Sequence, residues 1–343
     1  MNLKIINLTE EDYPSWDAYV QNHERGTLFH LIGWKNAIEK SFNTRASYFC
    51  AKADQKLCGI IPLFKIKTLF SGCKIISIPY SVYGGVLGDS EEIEQELIKF
   101  CKNYYEEQKA DYLELRYLYD RNIDFPKQNL YVTYKKRLAN NAEEILNDIP
   151  KKSRASVRKG LNNFGLKCKI NNDIHTFLKL YSINKRKLGS PQYPEKFISL
   201  LMTEYKSNAK IGTVFFNDIP VVSAQFFYFR NTIMPYFSGS DHKYWHTNAN
   251  NVLYYELMKH ARELDLEYFD FGRSRKGTGP AKFKEYMGFK ATPLHYYFYS
   301  RRHENIPNIT PSNKKFNLVS QVWSHLPLIF TKSVGPLIVK RIP

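Results

Sequence analysis

The sequence contains no C-x-x-C pair. Its five cysteines, Cys50, Cys58, Cys73, Cys101 and Cys168, are odd in number and scattered, with no histidine at ligand spacing. That pattern suits reduced thiols and argues against both a disulfide framework and a structural zinc. His242 and His246 stand four residues apart, but no carboxylate completes a ligand set in the asparagine-rich stretch around them, so no metal is expected. No segment approaches the ~18 uninterrupted apolar residues of a membrane span. The opening stretch MNLKIINLTEEDYPSW carries acids where a secretory leader has a basic end and an apolar run. A soluble cytoplasmic protein is expected, with contact at the inner membrane face left open. There is no RNP, KH or helix-turn-helix pattern, which leaves only a nonspecific grip on nucleic-acid phosphates.

Positive charge and apolar mass are plentiful. A net charge of +17 over 343 residues implies an anionic partner, and 43% hydrophobic residues are enough for two domains with buried cores. A nucleotide, a nucleic acid and a lipid surface all satisfy that sign of charge.

The chain repeats itself. In EEIEQELIKFCKNYYEEQ, Ile93, Leu97, Cys101 and Tyr104 form one apolar stripe at helical period; in NNVLYYELMKHARELDLE, Leu253, Leu257, Ala261 and Leu264 do the same. Glu96 and Glu256 fix the offset at 160 residues. Each helix leads into a strand, DYLELR or EYFDFG. Upstream, SYFCAKADQKLCGIIPLF and IGTVFFNDIPVVSAQFFYF both read strand, polar turn, strand, and a further strand ending in glycine follows each, in KIISIPYSVYGGVLGD and TIMPYFSGSD. Each half reads helix, hairpin, strand, helix, strand, which predicts two copies of one α/β (α+β) module with mixed sheets flanked by helices.

That order resembles the acyltransferase module of the GNAT superfamily. The second half is similar to the Fem family of aminoacyltransferases, which carry two such modules. The likeness rests on KRKLGSPQYPEKF, FSGSD, NNVLYYELMKHA and FDFGRSRKGTGPAKFKEYMGF, and in the first half on IPYSVYGGVLGD and IPKKSRASVRKGLNNFG. The tail VWSHLPLIFTKSVGPLIVKRIP is similar to a Fem-related subgroup associated with exopolysaccharide and PEP-CTERM sorting systems. The division implied is a GNAT-like module over 1–142, a basic linker helix over 143–170, a second module with the active site over 171–302, and a tail over 303–343. The glycine-rich loop with which GNAT enzymes hold coenzyme A pyrophosphate has no counterpart here: DHKYWHTNANNVLYY lacks glycine. A long helical-hairpin arm is also missing, since 140–166 reads as one short basic helix at most.

The resemblance implies transfer of an acyl or aminoacyl group to an amine of a phosphate-bearing cell-envelope precursor, peptidoglycan or exopolysaccharide related and free or lipid-linked. The donor is open between aminoacyl-tRNA and acyl-CoA or acyl-carrier protein, and no resident cofactor is expected. Lys284 matches the lysine of the family's F-K motif and would bind a substrate phosphate or polarise a carbonyl. Asp270 would orient a cation or act as base. Arg273 has the planar fork that suits phosphate or carboxylate. Tyr83, Gly84 and Gly85 stand at a strand end in one half, Tyr236 and Gly239 at the equivalent end in the other, where rings and bare backbone would line a cleft. Arg154 and Arg158 share a helical face with Lys151, Lys152 and Lys159 close by, a solvated face or a phosphate grip on tRNA or substrate. In the tail, apolar residues bracketed by Lys332, Lys340 and Arg341 suit either packing on the second module or an anionic leaflet, and Pro327 and Pro336 break any long helix. The alternative function is a catalytically silent GNAT-like module that binds nucleic acid or an envelope-assembly partner.

Overall fold

The computed structural model describes residues 3–69, 72–301 and 314–343. Among these, residues 3–131, 293–301 and 338–343 form one compact unit, and 132–292 with 314–337 form another. Among the described residues no helix is long and apolar enough to cross a membrane.

Turn chemistry sets both hairpins. Asp54 and Gln55 (φ 49° and 66°) join Ala46–Ala53 to Lys56–Lys67, and Asn217 and Asp218 (49° and 62°) join Ala209–Phe216 to Ile219–Phe229. Two consecutive left-handed residues give the turn whose twist matches that of the flanking strands. The sheets grow from these hairpins in the same order. In the first unit it runs Leu3–Asn7, Ala46–Ala53, Lys56–Lys67, Cys73–Ser77, Tyr112–Tyr117, His295–Tyr299, Lys127–Gln128; in the second, Lys167–Asn171, Ala209–Phe216, Ile219–Phe229, Thr232–Ser240, Tyr268–Asp270, Lys135–Arg137. Each sheet has one parallel pair, Cys73–Ser77 with Tyr112–Tyr117 and Thr232–Ser240 with Tyr268–Asp270. The duplication read from the sequence is therefore a duplication of topology.

Each unit completes its sheet with a strand from the other stretch of chain. His295–Tyr299 pairs antiparallel with Tyr112–Tyr117 in the first, and Lys135–Arg137 pairs antiparallel with Tyr268–Asp270 in the second. The sequential division at 142, 170 and 302 thus differs from the observed units. The expected linker is two helices, Ala142–Asp148 and Lys151–Asn162, whose Ile145 and Val157 belong to the second unit's core. Asn141 caps the first by accepting from the Glu144 N–H. The edge strands Leu3–Asn7 and Lys167–Asn171, not expected from the sequence, alternate exposed with partly buried residues and offer little apolar signal.

The crossover helices Glu91–Glu107 and Ala249–Glu263 bury Ile93, Leu97 and Cys101, and Leu253, Leu257 and Ala261. Leu264 lies past the end of its helix and is 49% exposed.

In the first unit, His30 is buried with its Nε2 2.9 Å from the Gly85 carbonyl, to which it donates, while Nδ1 accepts from the Thr27 N–H. Burial pushes its pKa down to about 4. The unfolded histidine titrates near 6.5, so the folded form holds fewer protons between these values. Stability present above about pH 6.5 should fall by about 3 kcal/mol as the pH drops to about 4. Denaturant unfolding of wild type and His30→Gln across that range checks this: the variant should lose that part of the pH slope, and equal slopes would refute the assignment.

Candidate active site

Both parallel pairs stop pairing after a few residues, and in each unit a wedge opens beyond. Pairing ends at Ile76 with Glu114 in the first unit and at Ile233 with Phe269 in the second. Aligning the strand sequences DYLELR and EYFDFG sets Glu114 opposite Asp270 as equivalents, and Arg116 opposite Gly272.

The first wedge is filled. Arg116, 2% exposed, meets Glu114 at 2.7 Å and donates to the Ser81 carbonyl and to the Pro343 oxygen, while its backbone N–H turns to the Ser77 hydroxyl. Lys74 lies 3.6 Å from Glu114. The strand itself is interrupted, because all nine residues from 78 to 86 leave the ladder and are buried before pairing resumes at Leu87–Gly88. Tyr83, Gly84 and Gly85, expected to line a cleft, lie in this excursion. Tyr83 packs edge-on against Phe29. A Cβ on Gly84 would meet Ile78 at 2.5 Å, and one on Gly85 the Tyr117 ring at 2.3 Å. These glycines admit neighbouring side chains, not a ligand.

The second wedge is built differently. Thr232–Ser240 runs unbroken, but Gln225 pairs with Phe237 and Phe226 with Pro235, so Tyr236 is an extra residue. Such a bulge sets two residues of one strand against one of its neighbour and bends the strand there. Opposite it the chain turns at Gly272 (φ 64°). Asp270, 1% exposed, staples that turn: its Oδ1 accepts from the Gly272 N–H at 2.8 Å and the Thr133 hydroxyl at 3.3 Å. Tyr254 reaches in from the helix Ala249–Glu263, sharing a hydrogen bond with Ser238 and setting its ring 4.7 Å from that of Phe271.

Lys284 enters from the helix Gly279–Tyr286. Its ammonium donates to the carbonyls of Phe271, Gly272 and Arg273 at 2.8, 2.9 and 3.2 Å, using all three of its donors. The Tyr134 ring lies 5.4 Å away, and the Tyr134 hydroxyl donates to Glu285. Burial pushes Lys284 down to about 7; Asp270 pulls it up and Arg273 pushes it down. Lys284, Asp270 and Arg273 are thus gathered as the sequence suggested, but with different duties. Lys284 and Asp270 hold the 270–273 turn. The half-buried Arg273 remains the cation of that turn.

Gly239 is covered. A Cβ there would lie 2.3 Å from Tyr181 Cα, so the helix Ile174–Lys187 packs directly on the strand. This side of the bulge holds residues that sequence reasoning missed. Phe237 has the rings of Tyr181, Tyr193, Phe197 and Tyr236 within 6.2 Å. Lys185 lies 5.4 Å from the Tyr181 ring, with no carboxylate or hydrogen-bond acceptor on its ammonium among the described residues, and burial lowers its pKa. Gln225 Oε1, Gln192 Nε2 and Ser182 Oγ are buried without hydrogen-bond partners among the described residues. Lys185, Gln192 and Tyr193 fall inside KRKLGSPQYPEKF, and Gln225 is the one amide in a mostly apolar strand. Both were available signals.

Arg154 and Arg158 stand apart on the outer face of Lys151–Asn162, lining with Lys151, Lys159, Asn162 and Asn163 an open groove of about 630 Å³. Val157 and Gly160 pack inward, where a Gly160 Cβ would lie 2.4 Å from Val252. The residue before this helix, Pro150, sits beside Gly288, just past the Lys284 helix. Before Ala249–Glu263 the chain forms a short 3-10 helix, His242–Thr247. No cradle of glycine N–H groups stands there.

The sequence profile of the acetyltransferase (GNAT) domain matches residues 150–285. Among solved structures, FemX is similar over 86% of this chain and 97% of its own, with a TM-score of 0.67 and 15% identity. A conserved protein of unknown function from Bacteroides thetaiotaomicron is similar over 86% and 98%, at 0.58 and 12%. A tandem GNAT protein from the clavulanic acid biosynthesis pathway is similar over 89% and 100%, at 0.52 and 7%. No curated protein sequence matches. At these identities the likeness is one of architecture, and the chain has the tandem GNAT acyltransferase fold.

Proposed function

We propose that this protein is a Fem-like acyl- or aminoacyltransferase acting at the wedge of its second unit, on an amino group of a phosphate-bearing cell-envelope precursor. The observation that carries the reading is the contrast between equivalent wedges: one filled by Arg116 and a buried excursion, the other keeping a glycine and a bulged strand. The neutral acceptor amine attacks the donor's carbonyl carbon, a C–N bond forms, and the bond to the donor oxygen or sulfur breaks. The amine proton leaves with the departing donor or to water. Charge developing on the carbonyl oxygen needs fixed donors aimed at it. The Gly272 N–H is committed to Asp270.

Lys185 and Arg273 supply positive charge for the phosphates of the acceptor. A partly buried lysine ammonium lacking a carboxylate is stabilised by an anionic ligand. For the donor, the missing pyrophosphate cradle and the cationic groove of Arg154 and Arg158 favour aminoacyl-tRNA over acyl-CoA.

The test incubates the pure protein with charged tRNA, acyl-CoA and acyl-carrier protein in parallel, together with a nucleotide-linked amino sugar, and follows consumption by mass spectrometry. Consumption of one donor with amide formation is expected. Inertness toward all three, together with retained RNA binding, would instead favour a silent binding module. If tRNA is the donor, Arg154→Ala with Arg158→Ala should weaken binding and lower the slope of log K against log salt by about 2. An unchanged slope would move the tRNA contact elsewhere.

A further inference from the structure

Six of the exposed large apolar side chains among the described residues, Val319, Val322, Ile329, Phe330, Leu337 and Ile342, fall within the last 25 residues. They are not scattered there. In the helix Leu328–Val339, Ile329 and Leu337 are 81% and 67% exposed and lie two turns apart on one side, with Phe330 beside them at 48%. The opposite side is the packed one. Thr331 is 3% exposed, a Cβ on Gly335 would lie 2.9 Å from the Gln192 backbone nitrogen, and Lys332 pairs with Glu195 at 2.7 Å. The preceding helix is pinned likewise, the Ser320 hydroxyl donating to the Gly189 carbonyl. The tail is thus anchored by a face of Thr331, Gly335 and Val339 and turns its bulkiest apolar side chains outward, against the usual surface-helix pattern.

Monomeric proteins rarely leave such a stripe bare, and its surroundings indicate what covers it. The helix runs directly into exposed Lys340 and Arg341, and the chain as a whole carries +17. A second copy of this chain would bring like charges together, whereas an anionic lipid surface takes up both the apolar stripe and the cations. We infer that the outer face of the Leu328–Val339 helix is a peripheral docking surface for anionic bilayers, which it enters by Ile329, Phe330 and Leu337 without spanning. This inference stands on the tail alone and does not depend on the wedge chemistry.

Co-sedimentation of the full chain with phosphatidylcholine vesicles, with and without phosphatidylglycerol, tests it. The protein is expected to pellet with the anionic vesicles at low salt and to partition at least tenfold less when Ile329→Ser, Phe330→Ser and Leu337→Ser are combined. Lys340→Glu with Arg341→Glu should weaken binding to the anionic vesicles only. The altered residues are exposed, so melting temperatures should match wild type; a triple variant that melts early is replaced by the three single ones. Wild type remaining in the supernatant, binding both vesicle types equally, or binding undiminished in the triple variant would each overturn the inference. So would self-association in sedimentation velocity that the triple variant abolishes while vesicle binding is absent, since the stripe would then meet a second copy.

Discussion

Lys284→Met is expected to cost about 3 kcal/mol of stability and to remove transfer activity. Methionine keeps the length and the apolar stem but leaves the carbonyls of Phe271, Gly272 and Arg273 without their shared donor. Each such loss is worth about 1–3 kcal/mol in a buried setting. One term opposes this: an enclosed ammonium is itself costly, which is why its pKa falls to about 7. Three acceptors outweigh one desolvated cation, so the net sign is destabilising. The 270–273 turn then loosens, and with it the placement of Arg273 and of the wall facing the Tyr236 bulge. Thermal unfolding and single-turnover transfer measured together decide the matter. A variant that melts like wild type but binds acceptor poorly would return Lys284 to direct ligand contact.

Gly239→Ala is the second large effect, about 3 kcal/mol or more. The added Cβ would lie 2.3–2.6 Å from backbone atoms of Tyr181 and Leu180, and a helix backbone cannot step aside as a flexible side chain can. Relief requires the whole Ile174–Lys187 helix to lift from the strand, carrying Lys185 with it. A glycine that served a ligand would behave differently: its alanine variant would fold normally and lose only affinity. Denaturant unfolding separates the cases, and wild-type stability in Gly239→Ala would show that the close approach is wrong.

Much of the architecture could be read from local chemistry. The Asp54-Gln55 and Asn217-Asp218 turns and the stripes of Ile93, Leu97 and Cys101 and of Leu253, Leu257 and Ala261 are signals confined to a few residues, and they mark matching elements in both halves. What escaped depends on distant partners. Nothing near Lys284 in sequence announces that backbone carbonyls eleven to thirteen residues earlier will surround it. Tyr83-Gly84-Gly85 and Tyr236 to Gly239 look alike as strings, yet one lies in a buried excursion and the other on a continuous strand. The difference lies in whether the ladder with Lys56–Lys67 or Ile219–Phe229 is kept. Gly239 was misread for the same reason, since the helix that covers it begins 65 residues earlier.

The exchanged strands also constrain how the protein can be made. Tyr112–Tyr117 is buried along its whole length and, among the described residues, finds its antiparallel neighbour only in His295–Tyr299. A nascent chain that has emerged through residue 142 therefore holds an unpaired, apolar strand edge. At roughly 5–20 residues per second, the missing neighbour arrives roughly 8–30 seconds later. Synthesis of the first unit alone would present that edge to other chains, a ready template for aggregation. The first module matures only after the second has been made, and it is not a portable part.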